Sequence, residues 1–197
     1  MSHFNKEASH WDSPEKIKMM KALAQESIKA LKLDGKLDIL DFGCGTGLYG
    51  LEFGDFAQTL TGVDTSQGML DVFDKKIQGC HHIKSINIDL EKEDLEEKFD
   101  LILSSMAFHH LLSPSKTLGK FKSMLNPDGR IAIADLDEED GTFHPDNAGM
   151  GVKHFGFSKQ ELKAWALEND MKLDHSIIHA IEKNNRAYKI FLAVFGG

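Results

Sequence analysis

Cysteine is scarce in this chain of 197 residues, with two in all, Cys44 and Cys80. Two isolated thiols make neither a disulfide framework nor a metal-binding pattern, and a reducing compartment, the cytoplasm, is the expected location. Linkers, internal repeats and low-complexity tracts are absent as well. No apolar run approaches the roughly 20 residues that a membrane span needs. The start Met1-Ser2-His3-Phe4-Asn5-Lys6 is too polar for a signal peptide, so no membrane partner is expected. Positive charge is in deficit: 23 basic residues stand against 31 acidic ones, for a formal net charge of -8. That balance excludes a dominant electrostatic role in binding DNA, RNA or an anionic membrane, and no nucleic-acid partner is expected. The length suits a single domain over 1–197, one that buries roughly 70% of its unfolded surface without staples.

What the chain does have is a concentration of glycine. In Asp41-Phe42-Gly43-Cys44-Gly45-Thr46-Gly47-Leu48-Tyr49-Gly50, three glycines at alternate positions let the chain turn sharply and bring bare N–H groups against a ligand. The apolar run Leu37 to Phe42 ahead of it reads as a buried strand, and Leu48 to Phe53 behind it as the first turns of a helix. Strand, glycine turn and helix open a nucleotide-binding α/β fold. Two registers are possible. Gly45-x-Gly47-x-x-Gly50 fits a dinucleotide fingerprint, with Asp64 about twenty residues on to hold a ribose. Read from Gly43, the pattern is acidic-x-Gly-x-Gly-x-Gly, with Asp41 as the acidic residue. A carboxylate there repels a pyrophosphate and attracts a cationic ligand, so Asp41 decides between the two registers.

The rest alternates. Ser13-Pro14 caps a helix from Glu15 to Leu33, with Ile17, Met20, Ala24, Ile28 and Leu31 on one face, forming an N-terminal helical addition over 1–35. It packs at the sheet's edge or over its ligand-binding end, and His10-Trp11-Asp12 either closes over the ligand or simply packs. Gln58 to Val63, Ile83 to Ile88, Phe99 to Met106 and Arg130 to Asp135 read as further strands. Gln67 to Ile77 and Pro114 to Leu125 read as helices, and Asn126-Pro127-Asp128-Gly129 as a turn. This pitch implies a doubly wound, mostly parallel sheet. After a helix capped by Ser158, Met171 to Ile181 and Ala187 to Phe195 are extended and joined by a short polar link, so they pair antiparallel.

These features resemble the class I S-adenosylmethionine-dependent methyltransferases, most closely the small-molecule type 11/12 branch that includes ubiquinone-biosynthesis-like enzymes. The resemblance rests on Asp41 to Gly47, Thr61 to Leu70, Asp89-Leu90, Phe99 to Ile102, Ala107 to Leu111 and Met124 to Arg130. Asn126 and Asp128 depart mildly from the family's Leu-Lys-Pro-Gly-Gly turn. It implies a Rossmann-like methyltransferase fold, an α/β seven-stranded sheet with an antiparallel C-terminal strand. It implies S-adenosylmethionine as cofactor and a small-molecule methyl acceptor as partner. Carried over by position, Gly43, Cys44, Gly45 and Gly47 pass beneath the cofactor's amino-acid portion and Asp41 favours its ammonium. Asp64 accepts the ribose hydroxyls, Thr65 and Met69 border the adenosine, Asp89 and Leu90 meet the adenine, and Ser104 and Ser105 end a strand near the methionine, with Ser104 taken as the binding residue. Cys44 fills a small position and is not a nucleophile. A SAM-binding accessory protein without catalysis, or a nicotinamide-dependent oxidoreductase, are the competing readings.

Methyl transfer needs alignment and exclusion of water, and a base only when the acceptor must lose a proton. The candidate catalytic residues are His109, of the pair His109-His110, and His154, with His144 nearby in sequence. Residues 136–157 form a long loop expected on the acceptor side, where Phe143, Phe155 and Phe157 line a pocket or anchor the loop. A metal set from Glu139, His144, Asp146 and His154 lacks tight ligand spacing, and no metal is expected.

Overall fold

A computed structural model describes residues 3–197; Met1 and Ser2, the first residues of the polar start, lie outside it. Seven strands form one sheet in the order β3-β2-β1-β4-β5-β7-β6. The strands are β1 (Leu37–Phe42), β2 (Ala57–Asp64), β3 (Ile83–Asn87), β4 (Phe99–Ser105), β5 (Leu125–Leu136), β6 (Lys172–Lys183) and β7 (Arg186–Gly196). The helices are α1 (His3–Glu7), α2 (Pro14–Leu31), α3 (Gln67–Lys76), α4 (Pro114–Ser123) and α5 (Lys159–Glu168). Strands β1 to β5 pair in parallel, and β7 runs antiparallel to both β5 and β6.

The central strands are apolar on both faces because each face is covered. Successive residues of β1 go to opposite cores: Ile39 joins the one that holds Met20, Leu23, Phe53 and Phe73, and Leu40 the one that holds Val63, Phe99, Phe108 and Phe121. Phe121 meets Phe42 edge-on at 5.0 Å between ring centroids.

Local signals placed most elements. The Ser13 hydroxyl accepts from the Lys16 N–H at 3.2 Å, with Pro14 following as the first helical residue. Ser158 and Glu161 cap α5 reciprocally. The hairpin between β6 and β7 turns on Asn184 and Asn185, both at positive φ (54° and 56°), which asparagine tolerates.

Three differences from expectation have clear causes. Residues Gly50–Phe56 form a 3₁₀ turn in place of α-helix, because Gly50 and Gly54 disfavour a longer helix and the chain must enter β2 at once. The 126–129 turn lies inside β5: Phe99 pairs with Leu125 and Leu101 with Arg130, so the four residues loop out of the ladder with Asp128 at φ 64°. In α2, Ile17 is 43% exposed, and Leu23 and Ser27 are buried in its stead beside Met20, Ala24 and Leu31. Among the described residues no helix is long and apolar enough to cross a membrane.

Phe121→Ala is expected to lower unfolding free energy by about 3–5 kcal/mol through the lost burial and the cavity left among its aromatic neighbours. Leu167→Ala, at 83% exposure, should stay within about 0.5 kcal/mol of the parent. Urea denaturation of both variants is the measurement, and equal midpoints would contradict this packing.

Candidate active site

At the end of β1 the chain is held against β2, since the Gly43 and Cys44 N–H groups both donate to the Val63 carbonyl (2.9 and 3.1 Å). Gly43, Gly45 and Gly47 all take positive φ (68°, 53° and 84°), a conformation that L side chains resist. A Cβ on Gly45 would meet no described protein atom within 4 Å, whereas one on Gly50 would lie 2.1 Å from Asp41 Oδ2. The turn therefore presents open backbone on its ligand side and packs without slack on its protein side.

Two carboxylates organise this end. Asp64, closing β2, accepts from the Gly45 N–H through Oδ2 and from the Ser66 N–H through Oδ1, both at 2.8 Å. Burial raises its pKa, and the N–H donors of Ser66, Gly45 and Thr65 oppose that rise. Asp41 is 2% exposed, and its Oδ2 has no hydrogen-bond partner among the described residues. Burial, reinforced by the charge of Asp64, pushes its pKa up to about 7 against the pull of the Gly50 N–H.

The N-terminal segment covers the same end. Asn5 accepts from the Ser66 hydroxyl (2.7 Å) and the Gly68 N–H (2.9 Å). Asp12 accepts from the Thr46 hydroxyl at 2.6 Å and pairs with Lys76 at 2.8 Å. Trp11 lies between, with the Lys16 ammonium 3.2 Å from its ring centroid. Both placements open for this addition are used: its first part lines the ligand-binding end, and α2 packs against the edge strand β6, with the Leu31 carbonyl accepting from Arg130.

One continuous cavity of about 1080 Å³ runs from this turn to the far side of β4. Of the residues that the resemblance assigns to the cofactor, Asp41, Gly43, Cys44, Gly45, Asp64, Thr65, Met69, Asp89 and Leu90 line it. Gly47 is absent from the lining because its Cα faces Leu51 and Phe73. Ser104 is also absent: it is 1% exposed inside β4, and its neighbour Ser105 reaches the cavity in its place. Cys44 is buried, and burial together with the charges of Asp41 and Asp64 raises its thiol pKa well above the ordinary value.

The other end is built by histidines. His109 is 1% exposed, and its Nδ1 lies 2.7 Å from Asp135 Oδ1. Asp135 accepts also from the Leu136 and His109 N–H groups at 2.7 and 3.3 Å. Burial works to raise the pKa of Asp135, but the imidazole and these donors outweigh it and hold the carboxyl below its usual value. His109 Nε2 is buried without a hydrogen-bond partner among the described residues. The ring centroids of His110 and His144 lie 4.2 and 4.9 Å from that of His109. Burial, followed by the proximity of His109 and His110, lowers the pKa of His144 to about 4.

His154, the second expected catalytic residue, is not brought here. Its Nε2 is 3.0 Å from the Leu111 carbonyl, its ring packs on Phe157, and it lines a separate small cleft with Ser113 and Trp165. The loop turns back at that point because the Lys153 and His154 N–H groups donate to the His109 carbonyl. The three loop phenylalanines divide: Phe143 lines the cavity, Phe157 is core, and Phe155 is 47% exposed. Nor do Glu139, His144, Asp146 and His154 converge, since Glu139 accepts from the Thr142 and Phe143 N–H groups and Asp146 from Gly149. Sequence reasoning missed Asp135 as the partner of His109. The signal available was an acidic residue at the carboxyl end of a strand adjacent to the one that leads into the His-His pair.

Comparison with known proteins gives a consistent result. The family described as "Methyltransferase domain" matches residues 40–133. An uncharacterized methyltransferase of Schizosaccharomyces pombe is 29% identical over 82% of this chain and 75% of its own length. A malonyl-[acyl-carrier protein] O-methyltransferase of Acetivibrio thermocellus is 30% identical over 67% of this chain. The chain spans 47% of that protein's length. Among solved structures, the N-methyltransferase NodS of Bradyrhizobium japonicum, in complex with S-adenosyl-L-homocysteine, superposes with a TM-score of 0.67. It shares 16% identity and is matched over 94% of this chain and 89% of its own.

The contrast between the two thiols is measurable. With a thiol-specific disulfide reagent at mildly alkaline pH, Cys80 should react promptly and Cys44 only on unfolding, because the thiolate is the nucleophile. Fast labelling of both in the native protein would contradict the environment found for Cys44.

Proposed function

The chain belongs to the class I S-adenosylmethionine-dependent methyltransferase family, and we propose that it transfers a methyl group from this cofactor to a small acceptor bound beside His109. The observation that carries the reading is one continuous cavity with a buried carboxylate, one of its oxygens without a partner among the described residues, at one end and a fixed imidazole at the other. At about 1080 Å³ it stands at the top of the roughly 300–1,000 Å³ range of ligand pockets, which is consistent with a cofactor and a small acceptor side by side.

The residues at the glycine turn suit the cofactor. A cationic ammonium supplies what Asp41 lacks, and a carboxylate already carrying a neighbouring negative charge would reject a pyrophosphate. Asp64 keeps lone pairs beyond its two backbone bonds for the ribose hydroxyls. Thr65 and Met69 border the adenosine, and Asp89 with the Leu90 N–H meets the adenine. Gly43, Cys44 and Gly45 support the methionine portion, Gly47 shapes the turn from behind, and Ser105 takes the place expected of Ser104. The bound sulfonium supplies an electrophilic methyl. The chain's own part is to orient the acceptor, exclude water with the N-terminal addition and the 136–157 loop, and hold the His109 imidazole beside it. Asp135 fixes that ring by accepting from Nδ1. The apolar contributions of Met19, Met106 and Phe143 to the lining favour an acceptor with an apolar or aromatic body. Two free cysteines, one of them walled in, and a net charge of -8 fit a cytoplasmic enzyme with a small-molecule partner and no nucleic acid.

Cofactor binding is expected to be pH-linked through Asp41. Its carboxyl is half protonated near pH 7 in the free protein, and an ammonium favours the ionised form, so binding below that pH releases a proton. Affinity for S-adenosylhomocysteine should fall by up to about tenfold for each pH unit below about 7 and level off above it. Calorimetry across pH gives the slope, and Asp41→Asn should abolish it; a flat profile in the parent would sink the assignment. Transfer itself is tested with methyl-labelled cofactor and a metabolite extract. A labelled small-molecule product is expected, and cofactor binding with no labelled product would instead mark a non-catalytic accessory protein.

A further inference from the structure

His109, His110 and His144 each offer a ring nitrogen, and these nitrogens all lie within 4.8 Å of one another. We propose that this trio binds one first-row divalent cation of the zinc class, with an open fourth position facing the cavity. This site is distinct from the glycine turn and stands whether or not the chain transfers methyl groups.

Four observations carry it. The first is the orphaned nitrogen. His109 is 1% exposed and uses Nδ1 on Asp135, which leaves Nε2 buried with no partner among the described residues. Leaving such an acceptor unsatisfied is destabilising, and a metal ion removes that cost. The second is the support behind it. Metal-ligating imidazoles almost always direct their other nitrogen to a carboxylate or carbonyl. Asp135 does this at 2.7 Å and is itself pinned by the Leu136 and His109 N–H groups. The third is the donor set. Three imidazole nitrogens with one carboxylate behind them suit a borderline cation and are poor ligands for calcium or magnesium, which take oxygen. Three protein ligands with a vacant position is also the pattern of catalytic and not structural zinc. The fourth is reach. Nitrogens around zinc at about 2.0–2.1 Å sit roughly 3.3 Å apart, so the trio must draw together by about an ångström or more. That adjustment falls to His144, whose connection after β5 is separate from the one after β4 that carries His109 and His110.

All three histidines line the cavity on the side opposite the glycine turn. Resting on the methyltransferase reading, this defines the acceptor class: a molecule whose hydroxyl or thiol takes the fourth position. Coordination would release its proton to solvent, since a zinc-bound oxygen ionises near neutral pH. The ionised oxygen or sulfur would then take the methyl from the cofactor's sulfonium, whose carbon–sulfur bond breaks to release S-adenosylhomocysteine.

The test uses the tag-free full chain, stripped with chelator and titrated with Zn²⁺ by calorimetry and with Co²⁺ by visible absorption. One ion per chain is expected, with the ligand-field bands of a four- or five-coordinate nitrogen site. His144→Ala and His110→Ala should each weaken binding at least tenfold. Asp135→Asn, which removes a positioning residue, should weaken it by about 10–100-fold. The double variant His81→Ala/His82→Ala, at an exposed pair elsewhere, should bind as the parent does. Absence of stoichiometric binding, or binding that survives His144→Ala, overturns the site. S-adenosylhomocysteine is titrated into the same samples. If it fails to bind while zinc does, the methyltransferase reading falls and the metal site stands. If the nucleoside binds and zinc does not, the metal site falls and the methyltransferase reading stands.

Discussion

A carboxylate buried between strands, one of its oxygens without a partner among the described residues, is the constraint around which this molecule is arranged. Asp41 lies in β1, with Gly62 of β2 on one side in register and Leu103 of β4 on the other. Its Oδ2 sits so close to Gly50 that no side chain fits there. The chain leaves the strand as glycine because a Cβ on Gly43 would lie 2.6 Å from the Ala107 side chain, then passes close over the end of β2 and starts a short 3₁₀ turn at Gly50. Burying a charge unpaired is expensive, and here the group responds by holding its proton to about pH 7. A ligand that brings positive charge relieves this; one that brings phosphate does not.

The topology explains why the site has two different ends. In the order β3-β2-β1-β4-β5-β7-β6 the connections reverse direction at β1 and β4, and open α/β sheets bind ligands at such a crevice. The ends of β1, β2 and β3 provide glycine backbone and acids. Those of β4 and β5 provide His109 and the carboxylate that orients it. The 137–157 loop returns to the sheet through the bridge between Asp137 and Phe157 and through Tyr188, whose hydroxyl meets Thr142 at 2.8 Å. Such tethering holds Phe143 and His144 against the histidine pair.

Much of this can be read from the residues because the relevant physics is local. Ser13-Pro14 and Ser158 act within one helical turn, Asn184-Asn185 within one hairpin, and the alternate glycines within one loop. Asp64 is legible because a strand-ending acid at that spacing has few other uses. What sequence reasoning misplaces is non-local. Ser104 and Ser105 point to opposite faces of β4, and choosing the one that meets the cavity requires the register of the sheet. His154 reads as the equal of His109 in the sequence, yet a carbonyl two elements away takes its Nε2.

From the sequence by itself come the alternation of strand and helix, the reversed final strand pair, the glycine turn and the sign of charge its ligand must carry. Each depends on periodicity, capping or the chemistry of neighbours within a few residues. The tertiary structure alone decided which histidines meet. His109, His110 and His144 come from two connections separated by a helix and a strand, and Asp135 reaches His109 only because β5 lies beside β4. Distances between such residues are set by sheet register and loop tethering, which no short stretch of sequence encodes.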